Sequence, residues 1–217
     1  TCDRIATART TRIYSCLNYI TLAYIVEQVT GKRIDEYAEA NVFKPLGMHN
    51  TCYLPSAEYS QFVAPTSVEN GTLLRGVVND PLARVGMGGV SGNAGLFSTL
   101  DDLMLYTAML LNGGTLHNAE ILSPRATQAI MTRPRGYEWF NRTLGWEHFD
   151  ECSQTGGDLL SDATIGHTGA TGTSIVIDPE LDVVVIMLTN RAHITSKRFP
   201  LEMRSKLASI VGSAIMQ

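Results

Sequence analysis

Residues 183–189, Val-Val-Val-Ile-Met-Leu-Thr, are apolar at odd and even positions alike. A strand turns alternate side chains to opposite faces, so a run of this kind needs a sheet that is covered on both sides. The pattern predicts a strand over 183–189 in a central position of a covered sheet, and helices must supply the covering layers. The rest of the chain has them. The strongest helical spacing lies over 17–29, where Leu17, Ile20, Ala23, Tyr24, Val26 and Val29 recur before Gly31 and predict a buried amphipathic helix. A second short helix is predicted over 34–42, stopped by Lys44-Pro45-Leu46-Gly47. Residues 49–85 show weak periodicity and read as a long irregular excursion of the kind that carries function in a compact domain. Ser98-Thr99-Leu100-Asp101 has the form of a capping box ahead of a helix over 100–111 that ends at Asn112-Gly113-Gly114. Ser123-Pro124 opens another helix, running to 131. From residue 142 the character becomes β, with strands over 143–149, 163–169 and 173–177 and a turn at 178–182 before the apolar run. An amphipathic helix over 200–215 closes the chain. Helices first, then an antiparallel meander and a terminal helix, make one α+β layered domain, mainly helical to about residue 141.

Composition removes several functional classes. Lys+Arg 17 against Asp+Glu 21 gives a formal net charge of −4 with no basic stripe, so nucleic acid is excluded as a partner. No apolar stretch reaches the ~18 residues of a membrane-spanning helix. Cys2, Cys16, Cys52 and Cys152 form no C-x-x-C pair, and the five histidines are too scattered for a ligand set, so neither zinc nor another metal is expected. The four cysteines fit two disulfides or four buried thiols equally. Asn70-Gly-Thr and Asn141-Arg-Thr are formal glycosylation sequons of little weight.

Three segments remain. Residues 86–95 hold five glycines in ten positions, which predicts positive φ or very close backbone approach. Their spacing fits neither nucleotide-loop pattern, so no nucleotide cofactor is implied. Ile165-Gly166-His167-Thr168-Gly169-Ala170-Thr171-Gly172-Thr173-Ser174 packs three glycines, four hydroxyl side chains and a histidine at a strand edge. Glycines there let a ligand's backbone lie against the strand, while Thr and His offer donors and a titratable ring; a glycine-rich bulge with a surface histidine fits the pattern as well. Arg12-Ile-Tyr14-Ser15-Cys16-Leu-Asn18-Tyr19 read alone is an aromatic lead-in to a core helix.

Taken in order, Tyr14-Ser15-Cys16, Phe43-Lys-Pro-Leu-Gly-Met48, the glycine-rich run into Leu96-Phe97-Ser98-Thr99-x-Asp101-Asp102-Leu103, and Gly166-His-Thr-Gly169 before Ile177-Asp178-Pro179 resemble the serine hydrolases related to class C β-lactamases. That family includes penicillin-binding D-Ala-D-Ala peptidases, D-aminopeptidases and esterases. The resemblance covers nearly the whole chain. It implies a β-lactamase/penicillin-binding-protein-like fold, hydrolysis of an amide or ester through an acyl-enzyme, a small-molecule or peptide substrate, no cofactor, and a periplasmic or cell-envelope setting. By matching motifs, Tyr14 takes the place of the family's second-motif tyrosine, and His167, Thr168 and Gly169 form its third motif. The Ala170 N–H becomes half of an oxyanion hole, a device worth ~3 kcal/mol of barrier lowering. His167 and Thr168 would orient the substrate's carboxylate or its equivalent.

Two departures shape the expectation. Many members carry Tyr-x-Asn, whose amide binds the acyl-side carbonyl, but Cys16 stands there, which favours an ester or a different amide. The nucleophile motif is Ser-x-x-Lys, and three places before Lys32, Lys44, Lys197 and Lys206 stand Val29, Asn41, Ile194 and Met203. The resemblance thus predicts a single incomplete domain over 1–217, truncated at its N-terminus, with the nucleophile on a missing N-terminal segment of the same protein. A chain of this kind is expected to be inactive alone, to expose an unpaired sheet edge and apolar surface, and to be poorly stable. A non-catalytic relative that binds cell-wall peptide or a protein partner is the alternative.

Overall fold

The computed structural model describes residues 7, 10–11, 13–137, 141–149, 154–193 and 202–215. Cys2, Arg12, Cys152 and Pro200, which entered the expectations above, lie outside the described residues.

Helix α1 (Cys16–Thr30) starts where the Ser15 hydroxyl accepts the Leu17 N–H and ends at Gly31, whose φ of 69° closes the last turn onto the Glu27 carbonyl. The helical run continues as α2 (Ile34–Ala38), a π turn over Glu39–Phe43, and α3 (Lys44–Leu46). Pro45 does not stop it. The π turn restarts the hydrogen-bond ladder just before the proline, so its missing N–H falls in a first turn, and Gly47 at φ 74° is the terminator. The excursion that follows is less irregular than its sequence suggests. It holds β1 (Cys52–Tyr53), the single turn α4 (Ala57–Ser60), the ribbon of β2 (Val68–Glu69) with β3 (Thr72–Leu73), a π turn over Leu82–Gly86, and β4 (Leu96–Phe97), which pairs back on β1.

Helix α5 (Leu100–Leu111) is capped one residue later than predicted. Thr99, not Ser98, accepts the Asp102 N–H, at 3.4 Å. The reason lies in Asp102, which is buried and takes the Asn50 N–H at 2.8 Å and the Thr51 hydroxyl at 2.7 Å. Thr51 in turn meets the Ser98 hydroxyl at 2.7 Å, so Ser98 is spent on this network. The ribbon β5 (Thr115–Leu116) with β6 (Ala119–Glu120) leads to α6 (Pro124–Met131), capped by Ser123 as expected.

The principal sheet is antiparallel, in the order β10 (Val183–Met187), β9 (Ser174–Asp178), β8 (Ile165–Thr168), β7 (Glu147–His148). Two expectations are corrected here. Residues 143–146 are a turn rather than strand, because the Thr143 hydroxyl takes the N–H groups of Gly145 and Trp146. The apolar run is also an edge strand: among the described residues β10 pairs only with β9. Its two-sided apolarity is met by helices. Val184 joins the core built around Met109 and Leu110 of α5, while Val185 and Met187 turn to the other face, where α7 (Glu202–Ile215) packs. The core itself gathers Phe43, Leu46, Met48, Met109, Leu110, Met131, Ile165 and Ile177, each worth about 1.5–3 kcal/mol when fully buried.

Helix α1 forms where expected, but it is not buried. Only Ala23 is buried; Leu17 is 52% exposed, Tyr24 59% and Val29 80%, so much of its apolar face is left uncovered by the described residues. No helix among the described residues is long and apolar enough to cross a membrane.

Candidate active site

Tyr14 stands one residue before the cap of α1, and His167 sits on β8 at the edge of the β8–β9 hairpin. The fold brings them together, with ring centroids 6.2 Å apart and planes tilted by 39°. Tyr19, one turn further along α1, meets the same imidazole edge-on at 6.3 Å. Cys16 occupies the first position of α1, half-buried and free, and Cys52 is free as well.

The strand edge beyond His167 is closed tightly. The Gly169 N–H donates to the Thr173 carbonyl at 2.8 Å, and the Gly172 N–H donates to the Gly169 carbonyl at 3.0 Å. A Cβ on Gly169 would lie 2.1 Å from the Thr173 hydroxyl, so any larger residue would have to turn that side chain aside. From α7 the buried Arg204 donates to the same two carbonyls, at 3.3 and 3.1 Å. Ala170 is exposed at the tip, and among the described residues its N–H meets no acceptor. Thr168 pairs with Ser174 across the hairpin and lends its carbonyl to the imidazole, at 2.9 Å from Nδ1.

Arg142, which sequence reasoning missed, organises the whole cluster. It lies next to the turn at 143–146, bridged to Glu147. Its guanidinium lies 5.2 Å from the centroid of the Tyr14 ring, donates to the Tyr19 hydroxyl at 3.1 Å, pairs with Glu147 at 2.7 Å and reaches His167 Nε2 at 3.1 Å. A single arginine between weakly patterned residues gives no motif to search for.

The electrostatics follow from this packing. Partial burial and the neighbouring Cys16 and Tyr19 push the Tyr14 phenol above its ordinary value, with Arg142 pulling less strongly the other way. Arg142 stacks on the ring face instead of reaching the oxygen, so at neutral pH the phenol keeps its proton. Burial lowers His167, the Thr168 carbonyl and Glu147 oppose that, and Arg142 adds to it. The described residues contain no cluster of His, Cys, Asp or Glu that could hold a metal ion. A separate cavity of about 500 Å³ lies beside α6 and His148, and none of Tyr14, His167 or Ala170 lines it.

The beta-lactamase family model matches residues 3–208. The chain belongs to that family. An Escherichia coli K12 protein named "Putative D-alanyl-D-alanine carboxypeptidase" is 35% identical over 198 residues, covering 83% of this chain and 45% of its own length. The chain therefore spans about half the length of the relatives it matches. Among solved structures, a beta-lactamase from Mycobacterium bovis aligns over 98% of this chain and 68% of its own, with a TM-score of 0.69 at 21% identity. The octameric penicillin-binding protein homologue of Pyrococcus abyssi aligns over 96% of this chain and 44% of its own, with a TM-score of 0.63 at 22% identity. The fold is thus β-lactamase/penicillin-binding-protein-like, α+β with an antiparallel sheet and a closing helix, as the motifs implied.

Proposed function

We propose that this beta-lactamase-family chain forms part of a serine acyl hydrolase acting on an amide or ester through an acyl-enzyme. The approach of Tyr14 and His167 to 6.2 Å, beside a hairpin whose Ala170 N–H is left without an acceptor among the described residues, carries this reading. In the proposed reaction a serine hydroxyl, followed three places later by a lysine and lying outside residues 1–217, attacks the substrate carbonyl. Its proton leaves through the lysine, and the Oγ–C bond forms. Negative charge on the carbonyl oxygen is met by the Ala170 N–H, a fixed donor worth ~3 kcal/mol of barrier lowering. Collapse breaks the bond to the leaving group, to which the neutral Tyr14 phenol passes a proton while taking up the one held by the lysine, and water then hydrolyses the acyl-enzyme, its proton returning to the serine oxygen. His167, Thr168 and Gly169 line the substrate's path along the strand edge, and Cys16 faces the acyl side.

The likeness to proteins named as D-alanyl-D-alanine carboxypeptidases favours a peptide ending in D-alanine or its ester. Cys16 in place of a family asparagine argues against a penicillin-like amide side chain. The same substitution favours the second reading, a non-catalytic module that binds cell-wall peptide or a protein partner. The exposed apolar face of α1 supports the view that further polypeptide completes the site. The test is incubation with a chromogenic β-lactam, a p-nitrophenyl ester and a fluorescent penicillin. The intact polypeptide that carries residues 1–217 should turn over at least one of them, and the 217 residues alone should turn over none. Turnover or covalent labelling by the 217 residues alone would overturn the assignment of the nucleophile. An intact polypeptide inert to all three, yet binding a D-Ala-D-Ala peptide, would establish the second reading.

A further inference from the structure

We propose that Arg142 holds His167 as its neutral Nδ1–H tautomer, and that Arg142, not His167, carries the permanent positive charge of this site. Nδ1 of His167 lies 2.9 Å from the Thr168 carbonyl, which can only accept, so Nδ1 bears a proton. Nε2 lies 3.1 Å from a guanidinium nitrogen of Arg142, which can only donate, so Nε2 presents its lone pair. An imidazolium would set two donors against each other at that distance. The groups facing the ring are the Tyr14 ring ahead of α1 and the Tyr19 ring on it, the Thr168 carbonyl on its own strand, and Arg142 with Glu147 from β7 and the turn before it. Glu147 is the one anion among them, and its carboxylate is turned onto Arg142 at 2.7 Å. It thereby orients the guanidinium.

Two chemical consequences follow. With its lone pair engaged, His167 is no base in the resting state. The cation that an anionic substrate group meets is an arginine, whose charge does not change across the range in which histidine titrates. Arg142 is thus a positioning residue for His167 and the site's fixed charge. The second role rests on the hydrolase reading above; the first does not.

The test uses the intact polypeptide that carries residues 1–217, labelled with ¹⁵N at histidine, and two-bond ¹H–¹⁵N spectra between about pH 5.5 and 8, the window in which an ordinary histidine titrates. The expected spectrum for His167 shows a protonated Nδ1 and a bare Nε2 throughout. A protonated Nε2, or conversion to imidazolium with a midpoint near the ordinary ~6.5, overturns the proposal. In Arg142→Met the cation that opposes protonation of the ring is gone; His167 should then take up a proton at Nε2 and titrate at higher pH than in the wild type. Arg142→Lys, which keeps a charge and a donor, should recover part of the resting tautomer. Unchanged His167 spectra in Arg142→Met overturn the tautomer lock, and if that variant does not fold the wild-type spectrum decides alone. For the charge, Arg142→Met should lower kcat/KM for a carboxylate-bearing ester at least about tenfold more than for a neutral ester. Equal losses contradict the fixed-charge role. An inert polypeptide with the locked tautomer sinks the hydrolase reading and leaves the tautomer assignment standing; an active one with Nε2 protonated does the reverse.

Discussion

Gly92→Ala tests what the glycine-rich segment is for. In the structure Gly92 presses on α1, and an added Cβ would lie 2.1 Å from the Tyr19 carbonyl oxygen, 2.9 Å from its carbon and 3.0 Å from the Ala23 side chain. Two of these three atoms are helix backbone, which cannot swing aside. To reach an ordinary contact of 3.4 Å from 2.1 Å, segment and helix must separate by about 1.3 Å. Overpacking of this kind costs typically about 1–3 kcal/mol. For a domain of this size that lowers Tm by roughly 2–12 °C. Because α1 carries Tyr19, and the residue before its cap is Tyr14, the displacement reaches His167 and the site, where a 1 Å misplacement costs about 10²-fold in rate. The control is Gly145→Ala. Gly145 has nothing within 4 Å of its built Cβ and no positive φ, so the same chemical change there should stay within about 0.5 kcal/mol of the wild type. Thermal unfolding of both variants, with p-nitrophenyl ester kinetics on the intact polypeptide, reads the outcome. Equal Tm values for the two variants would refute the claim that this segment is glycine-rich in order to seat α1.

Three further predictions address other parts of the structure. Asp178 is buried and accepts from the Ser161 N–H at 2.6 Å, the Ser161 and Thr164 hydroxyls, and the Glu180 and Leu181 N–H groups at 3.0 Å. Burial raises its carboxyl, but these hydrogen bonds outweigh burial and leave it below the ordinary value. A depressed folded value means that its stabilisation is complete above the unfolded ~3.9 and is lost only as pH falls through the lower folded value. Asp178→Asn should cost about 1–3 kcal/mol at neutral pH and flatten the fall of stability in acid; an unchanged acid-unfolding curve would contradict this. Arg204→Met removes a donor from the Gly169 and Thr173 carbonyls, so hydrogen exchange at the Gly169 and Gly172 amides should accelerate, with a loss of about 1–3 kcal/mol; unaltered protection would show that the hairpin holds itself. Cys16→Asn should raise acylation by amide-bearing substrates relative to simple esters by roughly fivefold, the worth of one hydrogen bond, and an unchanged ratio would remove Cys16 from the acyl side of the site.

What could be read from the sequence was local. Gly31, Ser123 and Pro124 set helix ends through neighbours within one turn, and those ends stand where they were expected; the Ser15 cap of α1 went unread. The hairpin beyond His167-Thr168-Gly169 was equally legible from the strands expected on either side of it, although the pattern alone fitted a plain glycine-rich bulge as well as a ligand-binding edge. Where two good caps adjoin, local signals lose their force: Ser98 and Thr99 are equivalent until the buried Asp102 draws Ser98 into its network through Thr51. Individual tertiary contacts were not legible from spacing. Arg142 meets Tyr19 across 123 positions and His167 across 25, so neither partner is suggested by spacing. The periodicity of α1 gave its apolar face but not what lies over it, and the two-sided apolarity of β10 was right about covering helices but wrong about a central position, because apolarity reports on a strand's faces and not on its edges.

The most direct measurement is to find which atom is acylated. The intact polypeptide carrying residues 1–217 is treated with a p-nitrophenyl ester, quenched in acid, digested and mapped by mass spectrometry. The expected result is one acyl group, on the serine of a Ser-x-x-Lys sequence outside residues 1–217, and its loss when that serine is replaced by alanine. An acyl group on any side chain within residues 1–217, or steady turnover with no acylated peptide at all, would contradict it.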